Sequence, residues 1–157
     1  MKIHYYGGIR SSNQSKVVWT NGCYDLLHVG HIRLFEYCRC IAEENGCEFF
    51  VGIDSDSRVR QLKGHTRPIN TEDDRAEMLL SIKGINRVYV YDTSEELTNI
   101  IRNLIPEALV VGDEYTYRTV VGGSYAQRIV YFPKVQGYSS TKLITMKGSC
   151  NEDLQVE

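Results

Sequence analysis

Two histidines three residues apart, His28 and His31, with Gly30 between them, stand where a hydrophobic strand gives way to a helix. The β-branched and aromatic run Val17, Val18, Trp19, Thr20 breaks at Asn21-Gly22, and a helical pattern begins near Gly30; this reads as a strand, a tight loop and a helix start. Backbone N–H groups at a helix start are unpaired and carry partial positive charge, so they receive anions. Both imidazoles project from one side of a helical turn, and Gly30 lets a ligand approach the main chain closely. The chemistry expected of this stretch is phosphate binding.

A second anion site is predicted near the other end of the chain, where Pro133-Lys134-Val135-Gln136-Gly137-Tyr138-Ser139-Ser140-Thr141-Lys142 leads into a helix carrying Leu143, Ile144 and Met146. Ser139 is a good N-cap, and hydroxyls beside free N–H groups suit an anion. Two helix starts on one cleft imply a polyphosphate. Arg75 shares a helix face with Leu79 and Ile82, and an arginine there wants either an anionic ligand or a buried carboxylate such as Asp54. Cys23 lies in the first loop, but no cysteine-histidine-amide signature surrounds it, so it reads as a small loop residue.

The elements that must bring these residues together follow from periodicity. A helix over 31–45 carries Leu34, Cys38, Ile41 and Ala42 on one face and stops at Asn45-Gly46. Phe49, Phe50, Val51, Gly52 and Ile53 form a nearly continuous apolar run, the mark of a strand covered on both faces of a parallel sheet. Asp54-Ser55-Asp56 ends that strand, and a polar loop is expected from there through Lys63, Gly64, His65, Arg67 and Pro68 to Thr71. Thr71 and Asp74 make an approximate capping box for a helix with Ala76, Leu79, Leu80 and Ile82. A strand over 88–91, a helix over 95–104, a strand over 108–111 closed by Gly112-Asp113-Glu114, and a strand over 129–132 complete the series.

Strands alternating with helices give an α/β fold: one domain with a doubly wound, mostly parallel, five-stranded Rossmann-like sheet flanked by helices. Ligands of such sheets bind beyond the carboxyl ends of the strands, and the polar segments 21–31, 54–67, 112–118 and 134–141 all fall there. The expected division is an N-terminal arm or short edge strand over 1–16, the domain over 17–146, and a tail over 147–157 without periodicity.

With 157 residues and a net charge of −2, one fold carries the function, and neither nucleic acid nor an anionic membrane is the expected partner. No apolar stretch approaches the ~20 residues of a membrane span, and no leader pattern opens the sequence. A cytoplasmic protein is expected. The five cysteines, Cys23, Cys38, Cys40, Cys47 and Cys150, lack zinc-site spacing and read as reduced thiols. A dinucleotide-dependent oxidoreductase would need Gly-x-Gly-x-x-Gly after the first strand, and the sequence has none.

The run Gly22-Cys23-Tyr24-Asp25-Leu26-Leu27-His28-Val29-Gly30-His31 resembles the signature of the cytidylyltransferase-like nucleotidyltransferases, and Gly137-Tyr138-Ser139-Ser140-Thr141 resembles their second signature. The resemblance covers about residues 16–146. Asp54-Ser55-Asp56, Leu62-Lys63-Gly64, Arg67-Pro68-Ile69-Asn70, Asp74-Arg75, and Tyr115 with Val120-Val121-Gly122 look most like the domain that makes ADP-heptose from heptose 1-phosphate and ATP. Gly112-Asp113-Glu114 and Val130-Tyr131-Phe132-Pro133-Lys134 look more like glycerol-3-phosphate cytidylyltransferase, where an arginine usually stands at the place of Lys134.

The resemblance implies that an acceptor's phosphate oxygen attacks the α-phosphorus of a nucleoside triphosphate, ATP in preference to CTP, and releases pyrophosphate. It assigns His28, His31 and Lys63 to catalysis. Asn21, Gly22, Cys23, Tyr24, Asp25, Gly30, Gly112, Ser139, Ser140 and Thr141 would bind the nucleotide; Arg75, Asp113 and Lys134 would bind the acceptor or read its hydroxyls. Mg²⁺ would be held mainly by substrate phosphates, with Asp25 either orienting its loop or reaching the ion through water. Small-molecule substrates and a homodimer are the implied partners.

Overall fold

A computed structural model describes residues 4–8, 15–139, 143 and 144. Its sheet has six strands, β1 (His4–Gly7), β2 (Val17–Gly22), β3 (Glu48–Asp54), β4 (Ile85–Tyr91), β5 (Ala108–Gly112) and β6 (Ile129–Phe132), in the order β1-β4-β3-β2-β5-β6. The five expected strands are parallel. The sixth, β1, comes from the N-terminal arm and pairs antiparallel with β4. Four residues carry no readable period, and what fixes β1 is tertiary: Tyr6 donates to Asp73, and the buried Arg87 donates to the Gly8 carbonyl at 3.1 Å while lying over the Tyr5 ring.

Among the described residues four helices flank the sheet: α1 (Val29–Asn45), α2 (Asp56–Lys63), α3 (Glu72–Leu80) and α4 (Ser94–Leu104). The apolar runs of β2, β3 and β4 are buried because both faces are covered. On one face Val18, Val51, Ile53 and Val88 meet Phe35 and Cys38 of α1 and Ala76 and Leu79 of α3. On the other, Trp19, Phe50 and Tyr89 meet Leu97, Ile100 and Ile101 of α4. Gly46 closes α1 in the left-handed conformation, and Thr71 caps α3 by accepting from the Asp74 N–H.

The segment expected as one polar loop after β3 contains α2, so Lys63 ends a helix rather than standing in a loop. Ser55 caps α2 by accepting from the Arg58 N–H, Asp56 occupies its first turn, and Val59 is its one buried residue. The helix therefore rests on its cap and charges, with no apolar stripe to announce it.

The chain leaves β2 for β3 on one side and returns through α4 to β5 on the other, so strand order switches between β2 and β5. There the Thr20 hydroxyl donates to the Val110 carbonyl at 2.9 Å, stitching the two strands just below their carboxyl ends. Among the described residues no helix is long and apolar enough to cross a membrane.

Candidate active site

The loop from Cys23 to His28 leaves β2 beside that switch and is shaped by Tyr24. Tyr24 takes a left-handed φ of 47° and is 5% exposed, with its ring edge-on to His31 at 5.2 Å and to Phe35 at 5.0 Å. His28 is the N-cap residue of α1 and makes no side-chain cap bond. Its carbonyl accepts from His31 N–H at 2.9 Å, and its ring stacks on that of His31 at 3.7 Å and 19°. A Cβ on Gly30 would stand 2.9 Å from His28 Cε1, so only glycine lets this ring lie over the first turn.

Both imidazoles are held neutral. Burial pushes the His31 pKa down to about 4, helped by the charges of His28 and Lys63; burial also lowers that of His28. The Nδ1 atoms of both rings are buried without a partner.

Behind the loop, Asp25 is 1% exposed and fully committed. It accepts from the Ile69 and Asn70 N–H groups at 2.8 Å each and from Arg67 Nε at 2.9 Å. Burial pushes its carboxyl up, but the two backbone donors and Arg67 outweigh it, and the group stays below the ordinary carboxylate range. These contacts fasten the loop that carries Asp25 to the segment Arg67 to Asn70. The Asn70 side-chain amide completes the clasp on the Asp25 carbonyl at 2.8 Å.

Arg75 corrects the sequence-based expectation of an acceptor-phosphate ligand. Its side chain is wholly buried. Nη1 donates to the carbonyls of Cys23 and Asp54 at 2.8 Å each, Nε to Asn70 at 3.2 Å, and Nη2 to the Asp56 carboxylate at 2.8 Å. Arg75 thus ties the ends of β2 and β3 to the segment before α3, and each nitrogen of its guanidinium has a protein acceptor. The carboxylate it pairs with is Asp56; Asp54 pairs instead with Arg58 at 2.7 Å.

The remaining predicted residues fall around the same strand ends. Asn21 sits at the end of β2 and accepts from Trp19 Nε1 at 3.0 Å, and Gly22 lies under the Tyr24 ring. Cys23 is half-buried; burial raises its thiol pKa against the pull of Lys63 and Arg75, so it rests protonated. The exposed Lys63 ends α2. Gly112 closes β5 beneath the Glu114 carboxylate, and Asp113 opens a short 3₁₀ turn. Lys134 is exposed beyond β6, in a segment that returns to the histidines: Val135 would lie 3.6 Å from a Cβ on Gly30, and the Tyr138 ring stands 6.1 Å from that of His28. The Ser139 carbonyl accepts from Leu143 N–H at 3.2 Å, a helical bond consistent with a cap. Ser140 and Thr141 lie outside the described residues.

Sequence reading missed Arg67 and Asn70 as parts of the site. The resemblance included Arg67-Pro68-Ile69-Asn70 but gave the segment no role, because the partner of both residues, Asp25, is more than forty residues away. Among the described residues no cluster of three His, Cys, Asp or Glu is arranged to hold a metal ion.

A cytidylyltransferase-like family model matches residues 19–146, which includes both histidines, Asp25, Lys63 and Arg75. The chain belongs to this family of nucleotidyltransferases. Relatives named bifunctional protein HldE include those of Koribacter versatilis, 41% identical over 84% of this chain, and Nitratiruptor, 37% identical over 86%. These matches span 27% and 28% of the relatives' own lengths, so the chain corresponds to about a quarter of each. A lipopolysaccharide core biosynthesis protein from Thermoplasma volcanium shares the fold with a TM-score of 0.55 at 21% identity, over 79% of this chain and 98% of that one. A macrolide-efflux protein from Streptococcus pneumoniae does so with a TM-score of 0.60 at 17% identity, over 84% and 51%.

Proposed function

We propose that the protein is an adenylyltransferase that joins AMP from ATP to a sugar 1-phosphate of the heptose type and releases pyrophosphate. The observation that carries this reading is the neutral, stacked pair His28 and His31 at the start of α1, backed by a loop that Asp25 and Arg75 hold in place. An acceptor phosphate is already a nucleophile, so the site needs no strong base; it must position two anions and stabilise the charge that builds on the oxygens of the α-phosphorus. The P–O bond to the acceptor forms as the bond to the β-phosphate oxygen breaks. Neutral imidazoles carrying their protons on Nε2 donate to those oxygens without competing as nucleophiles.

Lys63 supplies a positive charge to the same loop, and the segment through Ser139 to Thr141 would hold the outer phosphates. Mg²⁺ suits this donor set only as an ion carried by substrate phosphates, since Asp25 is occupied by its own loop; it would add charge neutralisation there. The similarity to the HldE proteins supports ATP and a sugar 1-phosphate as substrates, and a cytoplasmic enzyme acting on small molecules follows from the same reading.

Pyrophosphate release with Mg²⁺, using ATP and CTP in parallel against sugar 1-phosphates and glycerol 3-phosphate, tests it. Turnover is expected with ATP and heptose 1-phosphate. Turnover confined to CTP and glycerol 3-phosphate would overturn the choice of substrates and make the segment around Lys134 the seat of specificity.

A further inference from the structure

Among the described residues three buried side-chain nitrogens lack a hydrogen-bond partner: Nδ1 of His28, Nδ1 of His31 and Nη2 of Arg67. Buried polar atoms are almost always paired, and one that is not marks a strained group, a functional site or the place of a water or an ion. Two of the three belong to the histidine pair. The third belongs to a side chain only 10% exposed, on the segment that Asp25 clasps to the histidine loop.

The way Arg67 is held explains the vacancy. A guanidinium offers Nε and one Nη on a single edge, and a carboxylate ordinarily takes both. Here Asp25 gives Oδ2 to Arg67 Nε at 2.9 Å but turns Oδ1 to the Asn70 and Ile69 N–H groups at 2.8 and 3.0 Å. Arg67 is thereby fixed by one nitrogen while Nη2 keeps a donor to spare, its desolvation unrepaid. Lys63, four residues earlier and exposed, adds a second cation to the same stretch. The natural completion is a hard oxygen anion.

We infer that Arg67 is a substrate-binding residue whose Nη2 donates to a phosphate oxygen of a bound substrate, either the triphosphate or the acceptor phosphate. This rests on the proposed phosphate chemistry and adds to it a residue absent from the predicted set. Occupation of the site would bring Nη2 out of its closed state by a local shift of the exposed stretch from Lys63 to Thr66.

The full chain carrying Arg67→Lys tests this, because lysine keeps a charge for Asp25 and loses the second nitrogen. Calorimetry with MgATP and separately with a sugar 1-phosphate should show at least tenfold weaker binding of one of them, with a melting temperature close to wild type; which ligand weakens identifies the oxygen that Nη2 meets. Asp25→Asn is the control: a purely structural Arg67, acting through Asp25, predicts equal losses in the two variants, and that outcome overturns the inference. Unchanged affinity for both ligands in Arg67→Lys also overturns it and leaves Nη2 to a buried water only.

Should Arg67→Lys fail to fold, wild-type protein with ¹⁵N-labelled arginine decides. The Arg67 Nη resonance should shift on addition of one ligand, and an unmoved resonance in the saturated protein overturns the inference. Ligand binding without turnover would count against the proposed reaction and not against Arg67. Absence of all phosphate-ligand binding would overturn both.

Discussion

At the scale of single residues, the site depends on two rings kept neutral and parallel. His28→Ala and His31→Ala should each lower turnover by about two to three decades, the usual loss when a donor to a developing oxyanion is removed, while the urea unfolding midpoint stays close to wild type; near-normal turnover would remove that histidine from the mechanism. Gly30→Ala separates geometry from stability. Alanine favours a helix over glycine by up to about 1 kcal/mol, yet its Cβ would meet the His28 ring at 2.9 to 3.0 Å. Thermal unfolding should be unchanged or later, and turnover about a hundredfold lower, since a shift of about 1 Å at a reacting group costs that much. A variant as active as wild type would show that the ring need not lie over Gly30.

At the scale of elements, the site is a junction of the ends of β2 and β3 with the segment before α3, and Arg75 is its fastener. Arg75→Met leaves the carbonyls of Cys23, Asp54 and Asn70 and the Asp56 carboxylate without their donors, so a loss of about 3–5 kcal/mol in equilibrium unfolding is expected; a loss under about 1 kcal/mol would mean that Arg75 holds nothing.

What the sequence disclosed divides along the same line. Elements with a buried apolar stripe were legible: Cys38, Ile41 and Ala42 in α1 and the unbroken runs of β2 and β3 follow the periods that burial imposes, although the stripe of α1 begins at the buried Phe35 and not at the half-buried Leu34. Helix α2, with Val59 alone buried, and β1, held by Arg87 and Asp73, carry no such period. The histidines were legible because they are adjacent at a helix start. The face that Arg75 shares with Leu79 and Ile82 signalled a buried arginine, but its partners, like the bonds of Asp25 to Arg67 and Asn70, depend on contacts between distant segments that no local pattern encodes.

For the whole molecule, the two kinds of titrating group give two separate windows of acid sensitivity. His31 has a folded pKa of about 4 against an ordinary value near 6.5. The unfolded chain therefore binds the proton first, and the stability due to the neutral ring is complete above about pH 6.5 and lost as pH falls towards 4. Asp25 is depressed, so its contribution is present above about pH 4 and is lost below that. Urea midpoints should decline between pH 6.5 and 4 and again at lower pH. In His31→Gln the first decline should be reduced; if it persists unchanged, burial of that imidazole is not its origin. The same fold that keeps the rings neutral thus begins to lose stability already in mild acid.

The central claim is that the bond broken lies between the α- and β-phosphates and that the α-phosphorus moves to an acceptor phosphate. ATP labelled with ³²P at the α-position, incubated with Mg²⁺ and heptose 1-phosphate, measures this most directly. The label should appear in a nucleoside diphosphate sugar with one unlabelled pyrophosphate released per transfer, and His31→Ala should suppress both. Label remaining in ADP, with inorganic phosphate released, would show cleavage at the γ-phosphate and contradict the assignment.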